Sequence, residues 1–284
     1  IEKFRQSYVN TKPQISCERA KIYTDSYRET EGEPMCIRSA KAYLAACEKL
    51  PVTIFDDEII VGTAGEFKRT GILTPEFSWK WVDKEMDKFS TRGQDPYEMT
   101  DGQREFTRKE IFPYWKGKSL EELYLKRLPE DTAKILIDTG VLDNDSKWRQ
   151  AVGEVTPDYE DILLPKGYQK IKEEALAKIE ELDIAIPENI EKIEFYKSQV
   201  IICDGIMTFA KRYSDLAYEM AQKETNEKRK AELIKISDVC KKVPAYPPES
   251  FYEAIQFIWF VQVGGIICEN PLSLNPGRFD QYMY

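Results

Sequence analysis

The stretch FYEAIQFIWFVQVGGIICENPLSLNPGRFDQYMY, residues 251–284, decides how this chain folds. Ser250 stands just before it and is a residue type that favours the position preceding a helix. From Ala254 to Cys268 the residues are almost wholly apolar, which predicts a helix that is buried on most sides. The polar loop Glu269-Asn270-Pro271 follows. We therefore expect a core helix that ends in a polar loop and forms one wall of a pocket.

The chain around this core helix is predicted to be mostly helical. Three long segments with helical periodicity precede it, over residues 159–182, 187–225 and 226–243. Two short apolar runs, residues 52–55 and 58–62, flank a turn and predict two strands. Residues 138–158 lack any period, which predicts a long irregular loop, and such loops often carry function.

The charge balance and hydropathy exclude several classes of partner. The chain has a net charge of −9 and a pI near 5.0. A protein that binds nucleic acid or an anionic membrane needs a surplus of Lys and Arg to neutralise phosphates. No uninterrupted apolar run reaches the roughly eighteen residues that a spanning helix needs, so we predict no membrane span.

The cysteine and histidine content limits the possible chemistry. None of the six cysteines forms a C-x-x-C pair, which favours reduced thiols in a cytoplasmic protein over disulfides or zinc. The complete absence of histidine removes the commonest general base and the commonest metal ligand. We therefore predict no metal site, and no Ser-His-Asp or Cys-His catalytic site, built from these residues.

The irregular loop contains the candidate binding residues. Glu154 lies there between small and apolar neighbours, so that burial would require a polar partner for its carboxylate. A loop carboxylate in water is an equally good interpretation, and the same two interpretations apply to Trp148 and Arg149. No glycine-rich phosphate-binding motif is present. The residues alone thus predict a mostly helical protein with a pocket formed by residues 146–158 and 269–278, without defining a reaction.

Seven short motifs, taken in order, resemble those of the glycyl radical enzymes. They are RA at 19–20, TEGEP at 30–34, DEIIVG at 57–62, RTG at 69–71, PEFSW at 75–79, FPYWKGKS at 112–119 and PGRFDQYMY at 276–284. The last motif is similar to the corresponding stretch of choline trimethylamine-lyases and of glycerol and propanediol dehydratases. No single motif is specific, so the resemblance depends on their common order over nearly all of the chain.

The resemblance implies a fold and a type of reaction. The fold is α/β, and residues 1–284 would be the N-terminal, mostly helical portion of the ten-stranded pyruvate formate-lyase-like barrel, which has two antiparallel five-strand halves. A radical S-adenosylmethionine activating enzyme would be the partner that installs a backbone glycyl radical. That radical oxidises a cysteine to a thiyl radical, which takes a hydrogen atom from a small-molecule substrate in a dry chamber.

The resemblance also implies what this segment lacks. The radical glycine and the thiyl cysteine lie beyond the corresponding region in relatives. We therefore expect no catalytic residue in this segment, no bound cofactor besides the glycyl radical elsewhere, and no turnover by the segment alone. A homodimer is expected for the complete protein.

The same resemblance assigns substrate-binding residues. Glu154 stands where glycerol dehydratases have a histidine and choline lyases have an aspartate. A carboxylate there can accept a hydrogen bond from a substrate hydroxyl or move a proton during elimination. Ser273 matches a serine of the dehydratases, whereas Leu272 replaces their second histidine. Arg149 is suited to an anionic substrate, and we include the adjacent Trp148 in the site.

Taken together, the resemblance implies a lyase that cleaves a C–O or C–N bond of a small hydroxylated substrate, in the manner of a dehydratase or a choline lyase. The alternatives are a radical C–S lyase acting on a sulfonate, a formate acetyltransferase-like enzyme, and a non-catalytic helical binding protein of the same fold.

Overall fold

The computed structural model describes residues 2–139, 154–271 and 273–283. Its α-helices are α1 (Glu2–Val9), α2 (Glu18–Glu29), α3 (Met35–Lys49), α4 (Lys80–Glu85), α5 (Asp101–Phe106), α6 (Phe112–Trp115), α7 (Leu120–Leu125), α8 (Glu130–Thr139), α9 (Leu164–Glu181), α10 (Pro187–Lys223), α11 (Glu227–Lys242), α12 (Phe251–Glu269) and α13 (Phe279–Tyr282). A 3-10 turn at Met86–Thr91 and π turns at Thr107–Ile111 and Tyr159–Leu163 extend some of them. The prediction of a mostly helical portion is confirmed.

The strands are short and form two parallel pairs. They are β1 (Gln14–Ser16), β2 (Thr70–Ile72), β3 (Glu154–Val155) and β4 (Ser273–Leu274). In the first pair Gln14 lies opposite Thr70. In the second pair Glu154 lies opposite Ser273, and Val155 opposite Leu274. Parallel strands need long crossover connections, so each pair brings together segments that are far apart in sequence.

The helix that the sequence analysis placed at the centre of the fold is α12. Ser250 is its N-cap, and its side chain accepts a hydrogen bond from the backbone N–H of Glu253. Phe257 and Phe260 are both 0% exposed and belong to two different hydrophobic clusters, so α12 joins the two parts of the core. The long helix α10 packs against α3, α9 and α11 and completes the larger cluster.

By length and composition alone, α12 could cross a membrane, because it has 19 residues and is almost wholly apolar. Its packing favours a different role. Phe260 lies edge-on to Phe209 of α10, with ring centroids 6.2 Å apart, and it also packs on Tyr213. A helix with side chains in two interior clusters is a core helix, as its sequence predicted.

The two strands predicted at residues 52–55 and 58–62 do not form, and this part of the chain is irregular. The backbone groups of this segment bond to side chains from two helices, and in the described part of the chain no neighbouring strand pairs with them. The amide of Gln256 accepts a hydrogen bond from the N–H of Val61 at 2.9 Å and donates one to its carbonyl at 2.7 Å. Arg229 donates to the carbonyls of Phe55 and Glu58. The strand prediction is wrong because the partners of these backbone groups are side chains of distant helices, which the local apolar pattern does not record.

Two adjacent glycines allow α12 to be approached closely from two sides. A Cβ atom at Gly264 would lie 2.7 Å from the hydroxyl of Tyr43 and 2.8 Å from Cδ1 of Ile206. A Cβ atom at Gly265 would lie 2.9 Å and 3.0 Å from the two methyl carbons of Leu274. Gly264 therefore allows α12 to pack closely against α3 and α10, and Gly265 allows β4 to pack closely against α12.

We predict that Gly265→Ala destabilises the chain by about 1–2 kcal/mol, because its methyl group overpacks the contact with Leu274. In a Leu274→Ala background the sign should reverse. The clash is then gone, and the higher helix propensity of alanine gains up to about 1 kcal/mol. A double-mutant cycle from urea unfolding measures the coupling.

Gly102 in α5 provides the control, because, apart from its own helix, none of the residues that the structure describes comes within 4 Å of a Cβ atom built there. Gly102→Ala should be neutral or slightly stabilising, by at most about 1 kcal/mol. Equal effects of Gly265→Ala in both backgrounds would show that β4 does not sit on Gly265.

Candidate functional site

The two segments predicted to form the pocket, residues 146–158 and 269–278, meet at the β3–β4 pair. Glu154 and Ser273, two residues assigned to substrate binding from the sequence, lie opposite each other in its parallel register. The N–H of Asn275 donates a 2.8 Å hydrogen bond to the carbonyl of Val155 and extends the pairing. Trp148 and Arg149 lie outside the described residues, so their assignment stays a prediction from the sequence.

A cavity of about 400 Å³ lies on one side of this strand pair. Val155 and Leu274 contribute to its lining, together with Gly264, Gly265 and Cys268 at the end of α12. Successive residues of a strand point to opposite faces. Ser273 therefore belongs to the face of β4 opposite the cavity. The cavity lies on the side of the strand pair that faces the helices, and the candidate substrate face is the opposite one, which carries Ser273.

The C-terminal end of α12 is fixed by a buried guanidinium group. Arg19 in α2 is 0% exposed. Its Nε donates a 2.6 Å hydrogen bond to the carbonyl of Ile267, and its Nη2 donates one of 2.7 Å to the carbonyl of Cys268. These carbonyls have no partner within the helix, and the negative end of the helix dipole favours a cation there.

The same guanidinium binds the segment that carries the PEFSW motif. Nη2 of Arg19 lies 2.7 Å from Oε1 of Glu76, and Nη1 donates to the carbonyl of Leu73 at 3.2 Å. The side chain of Glu76 is only 7% exposed. The guanidinium carbon lies 3.6 Å from the centre of the Tyr23 ring, whose hydroxyl also donates to the carbonyls of Ile267 and Cys268. We call these three side chains, Arg19, Glu76 and Tyr23, the Arg19 clamp.

Sequence analysis missed the clamp, although a signal was present. Arg19 precedes Ile22 and Tyr23 by three and four residues, so it shares their buried helix face. Arginine is almost never fully buried unless it is paired, so its position on an apolar face predicts a buried partner. The partner itself, Glu76, could not be found in this way because it lies far away in sequence.

Burial next to the Arg19 clamp shifts the pKa values of Cys268 and Glu269. Burial raises the pKa of the Glu269 carboxyl, and Glu76 adds to the shift while Arg19 opposes it. Burial also raises the pKa of the Cys268 thiol to about 12, so this thiol is protonated at neutral pH. It is not a nucleophilic thiolate. Among the described residues, no group of three or more potential ligands could hold a metal ion.

The segments that follow the two strands pack on each other and on α12. The side-chain amide of Gln262 donates a 2.9 Å hydrogen bond to the hydroxyl of Tyr159, which follows β3. The ring of Tyr282, which follows β4, lies 5.7 Å from the ring of Tyr159. The β3–β4 pair is therefore supported by packing beyond its own few hydrogen bonds.

We predict a pH-dependent effect of Glu269→Gln. Because burial raises the pKa of Glu269, the folded state binds its proton more tightly than the unfolded chain does. The free energy of unfolding therefore falls as pH rises from the ordinary carboxyl pKa through the raised one. The glutamine variant lacks this loss and should be modestly more stable than the native protein at pH 8.

Below about pH 4 the glutamate is protonated in both states, so the advantage of the variant should disappear. Urea midpoints at pH 4 and pH 8 measure the difference. Glu219→Gln, on the exposed side of α10, is the control and should show no such change. If Glu269→Gln changed the free energy of unfolding equally at both pH values, the raised pKa of Glu269 would be contradicted.

Comparison with known proteins supports the resemblance of the motifs. Residues 1–284 match the pyruvate formate lyase-like family. The chain is 38% identical over 288 residues to the isethionate sulfite-lyase of Nitratidesulfovibrio vulgaris, an alignment that covers 98% of this chain and 34% of that protein.

Two solved structures have the same fold over the whole chain. The glycerol-bound, B12-independent glycerol dehydratase from Clostridium butyricum has a TM-score of 0.95 and 35% identity, covering 100% of this chain and 36% of its own. A structure described for 1,2-propanediol dehydration in Roseburia inulinivorans has a TM-score of 0.95 and 34% identity, covering 100% and 34%. The chain thus spans about a third of the length of the proteins it matches. It belongs to the pyruvate formate lyase-like family, the glycyl radical enzymes that its motifs resemble.

Proposed function

We propose that residues 1–284 are the N-terminal part of the catalytic domain of a glycyl radical lyase. The enzyme would cleave a C–O or C–N bond of a small hydroxylated substrate, as a dehydratase or a choline lyase does. The observation that carries the proposal is the parallel register in which Glu154 lies opposite Ser273. It brings together, in one strand pair, two residues that are far apart in the sequence and that the motif comparison assigned to substrate binding.

The radical chemistry is supplied by residues outside this chain. A thiyl radical, generated from a glycyl radical that a radical S-adenosylmethionine enzyme installs, removes a hydrogen atom from the substrate. The described residues contribute a wall to the reaction chamber. The apolar helix α12 behind the strands, with Phe257 and Phe260 fully buried, supports a chamber closed to water.

Each site residue of this chain has a proposed role. The carboxylate of Glu154 accepts a hydrogen bond from the substrate hydroxyl and takes or returns a proton as the adjacent bond breaks. The hydroxyl of Ser273 makes a second hydrogen bond to the substrate. Arg149, for which the sequence is the only support, binds an anionic substituent, and Trp148 beside it adds apolar contact.

A second candidate is cleavage of a C–S bond in a sulfonate. The 38% identity with an isethionate sulfite-lyase over 98% of the chain favours it. A planar guanidinium is suited to bidentate recognition of an oxyanion, so Arg149 would hold the sulfonate while Glu154 contacts the hydroxyl. We further propose that the protein is cytoplasmic, since the six cysteines are free and most of them are buried. The proposal of a homodimer depends on the resemblance of the motifs alone.

We predict that Glu154→Gln in the full-length enzyme lowers kcat by about 10²–10⁴-fold, because an amide can accept a hydrogen bond but cannot exchange a proton at neutral pH. The measurement is turnover of isethionate, glycerol and 1,2-propanediol after anaerobic activation. Rates are normalised to the glycyl radical signal in electron paramagnetic resonance. The substrate that turns over also decides between C–O and C–S cleavage.

Glu160→Gln is the control for Glu154→Gln, because Glu160 is a nearby exposed carboxylate. It should keep the native rate and the native radical yield. A native rate for Glu154→Gln would remove the proposed role of this residue. A full-length protein that forms no glycyl radical with its activating enzyme would favour the non-catalytic binding protein.

We also predict that residues 1–284 alone show no turnover when mixed with the activating enzyme, because the hydrogen-abstracting cysteine is supplied from outside the segment. The assay is product formation from the same three substrates, with the full-length enzyme as the positive control. Product above background from the segment would contradict this division of the site.

A further inference from the structure

The Arg19 clamp connects the N-terminal helices to the strand that carries Ser273. Arg19, in α2, makes four hydrogen bonds to two other segments, the end of α12 and residues 73–76. Two go to the carbonyls of Ile267 and Cys268, one to Leu73, and one to Glu76. Because the guanidinium is fully buried, it is stable there only while these partners keep their places. The last turn of α12 is therefore fixed relative to α2 and to residues 73–76.

The path from the clamp to the substrate face is short. After Cys268, the chain reverses at Asn270, which has the left-handed backbone angle φ 44° and is the C-cap of α12. Ser273 begins β4 only three residues later. A shift of the last turn of α12 would thus pass to β4, since so few residues lie between to absorb it.

A second contact fixes β4 from the side. Leu274 packs over Gly265 so closely that a Cβ atom there would lie 2.9 Å from its Cδ1. Gly265 stands in the same last turns of α12 that the clamp holds. The position of β4, and with it the register of Ser273 against Glu154, is therefore defined by where the end of α12 is held.

We propose that Arg19 is a positioning residue for the reaction: it holds the end of α12 so that β4 presents Ser273 in register with Glu154. The inference rests on the proposed function for its effect on rate, although its effect on the strand pair can be measured separately. A misplacement of about 1 Å in a substrate-positioning group can lower a rate by about 10²-fold.

Arg19→Lys tests the proposal in the full-length enzyme. Lysine keeps the positive charge, but its single nitrogen cannot reproduce the planar set of bonds to the end of α12 and to residues 73–76. Arg212→Lys is the matched control. Arg212 also binds the carbonyls at the end of a helix, Cys47 and Leu50 at the end of α3, at 2.7 Å and 2.6 Å. Within the described part of the chain it has no hydrogen bond to α12 or β4.

The first readout is hydrogen exchange at the amide of Asn275, which bonds to the carbonyl of Val155 across the strand pair. We expect Arg19→Lys to accelerate this exchange about tenfold or more, and Arg212→Lys to leave it near the native value. Native protection of Asn275 in Arg19→Lys would overturn the proposal, whether or not the enzyme is active on the substrates tested.

The second readout is kcat per glycyl radical with isethionate, glycerol or 1,2-propanediol. We expect Arg19→Lys to form the native amount of radical but to lose about 10–10²-fold in kcat, with a smaller change in KM. Arg212→Lys should lose stability without losing kcat. Equal losses of kcat in both variants would show that Arg19 acts only through stability, and would contradict its role in positioning Ser273.

If Arg19→Lys does not fold, Glu76→Gln replaces it, because the amide oxygen still accepts from Nη2 of Arg19 while the charge is removed. The same two readouts then apply, with smaller expected changes. Absence of turnover by the native enzyme would contradict the proposed function only. The exchange of the Asn275 amide would still decide the role of the clamp.

Discussion

A guanidinium group without water around it is the constraint on which the rest of this structure depends. Arg19 is fully buried, and its hydrogen bonds reach the end of α12, the carbonyl of Leu73 and the carboxylate of Glu76. Breaking a buried ion pair by removing one partner typically costs about 3–5 kcal/mol, because the other charge is left uncompensated. Three segments that are far apart in sequence are thereby held in one arrangement.

The helix that Arg19 holds is also the helix that the core is built around. Phe257 and Phe260 of α12 belong to separate clusters, and Gly264 and Gly265 let neighbouring elements approach its backbone closely. The amide of Gln256 provides both backbone partners of Val61, in place of a sheet neighbour. One apolar helix therefore joins the helical layers to the strands by different contacts along its length.

The candidate site is built on a strand pair that is too short to be stable by itself. Two residues on each side, Glu154–Val155 and Ser273–Leu274, make few ladder bonds. An isolated pair of this size is not stable in water. Its geometry comes from its surroundings, since Leu274 sits on Gly265 and Tyr159 is bonded to Gln262. In this family the substrate and the bond that is cleaved differ between relatives that share the fold. A scaffold that fixes the strands and leaves the residues on one face free to vary is consistent with that diversity.

The sequence by itself determined the elements whose signal is local. The apolar run after Ser250 predicted the core helix, the helical periodicity predicted α9, α10 and α11, and the ordered motifs predicted the family. The charge balance and the lack of histidine limited the chemistry in the same way. The helices depend on residues that are close together in the chain, so their pattern is visible in it. The charge balance, the histidine content and the order of the motifs are properties of the sequence as a whole and need no packing to be read.

Only the tertiary structure decided where the polar groups of the interior find their partners. The runs at 52–55 and 58–62 have the composition of strands, but Gln256 and Arg229 satisfy their backbone groups, so no sheet forms. Arg19 shares a helix face with Ile22 and Tyr23, yet its partner Glu76 lies 57 residues away. Side-chain periodicity records which face of an element is buried. It does not record which distant donor or acceptor meets that face, because this depends on the packing of the whole chain.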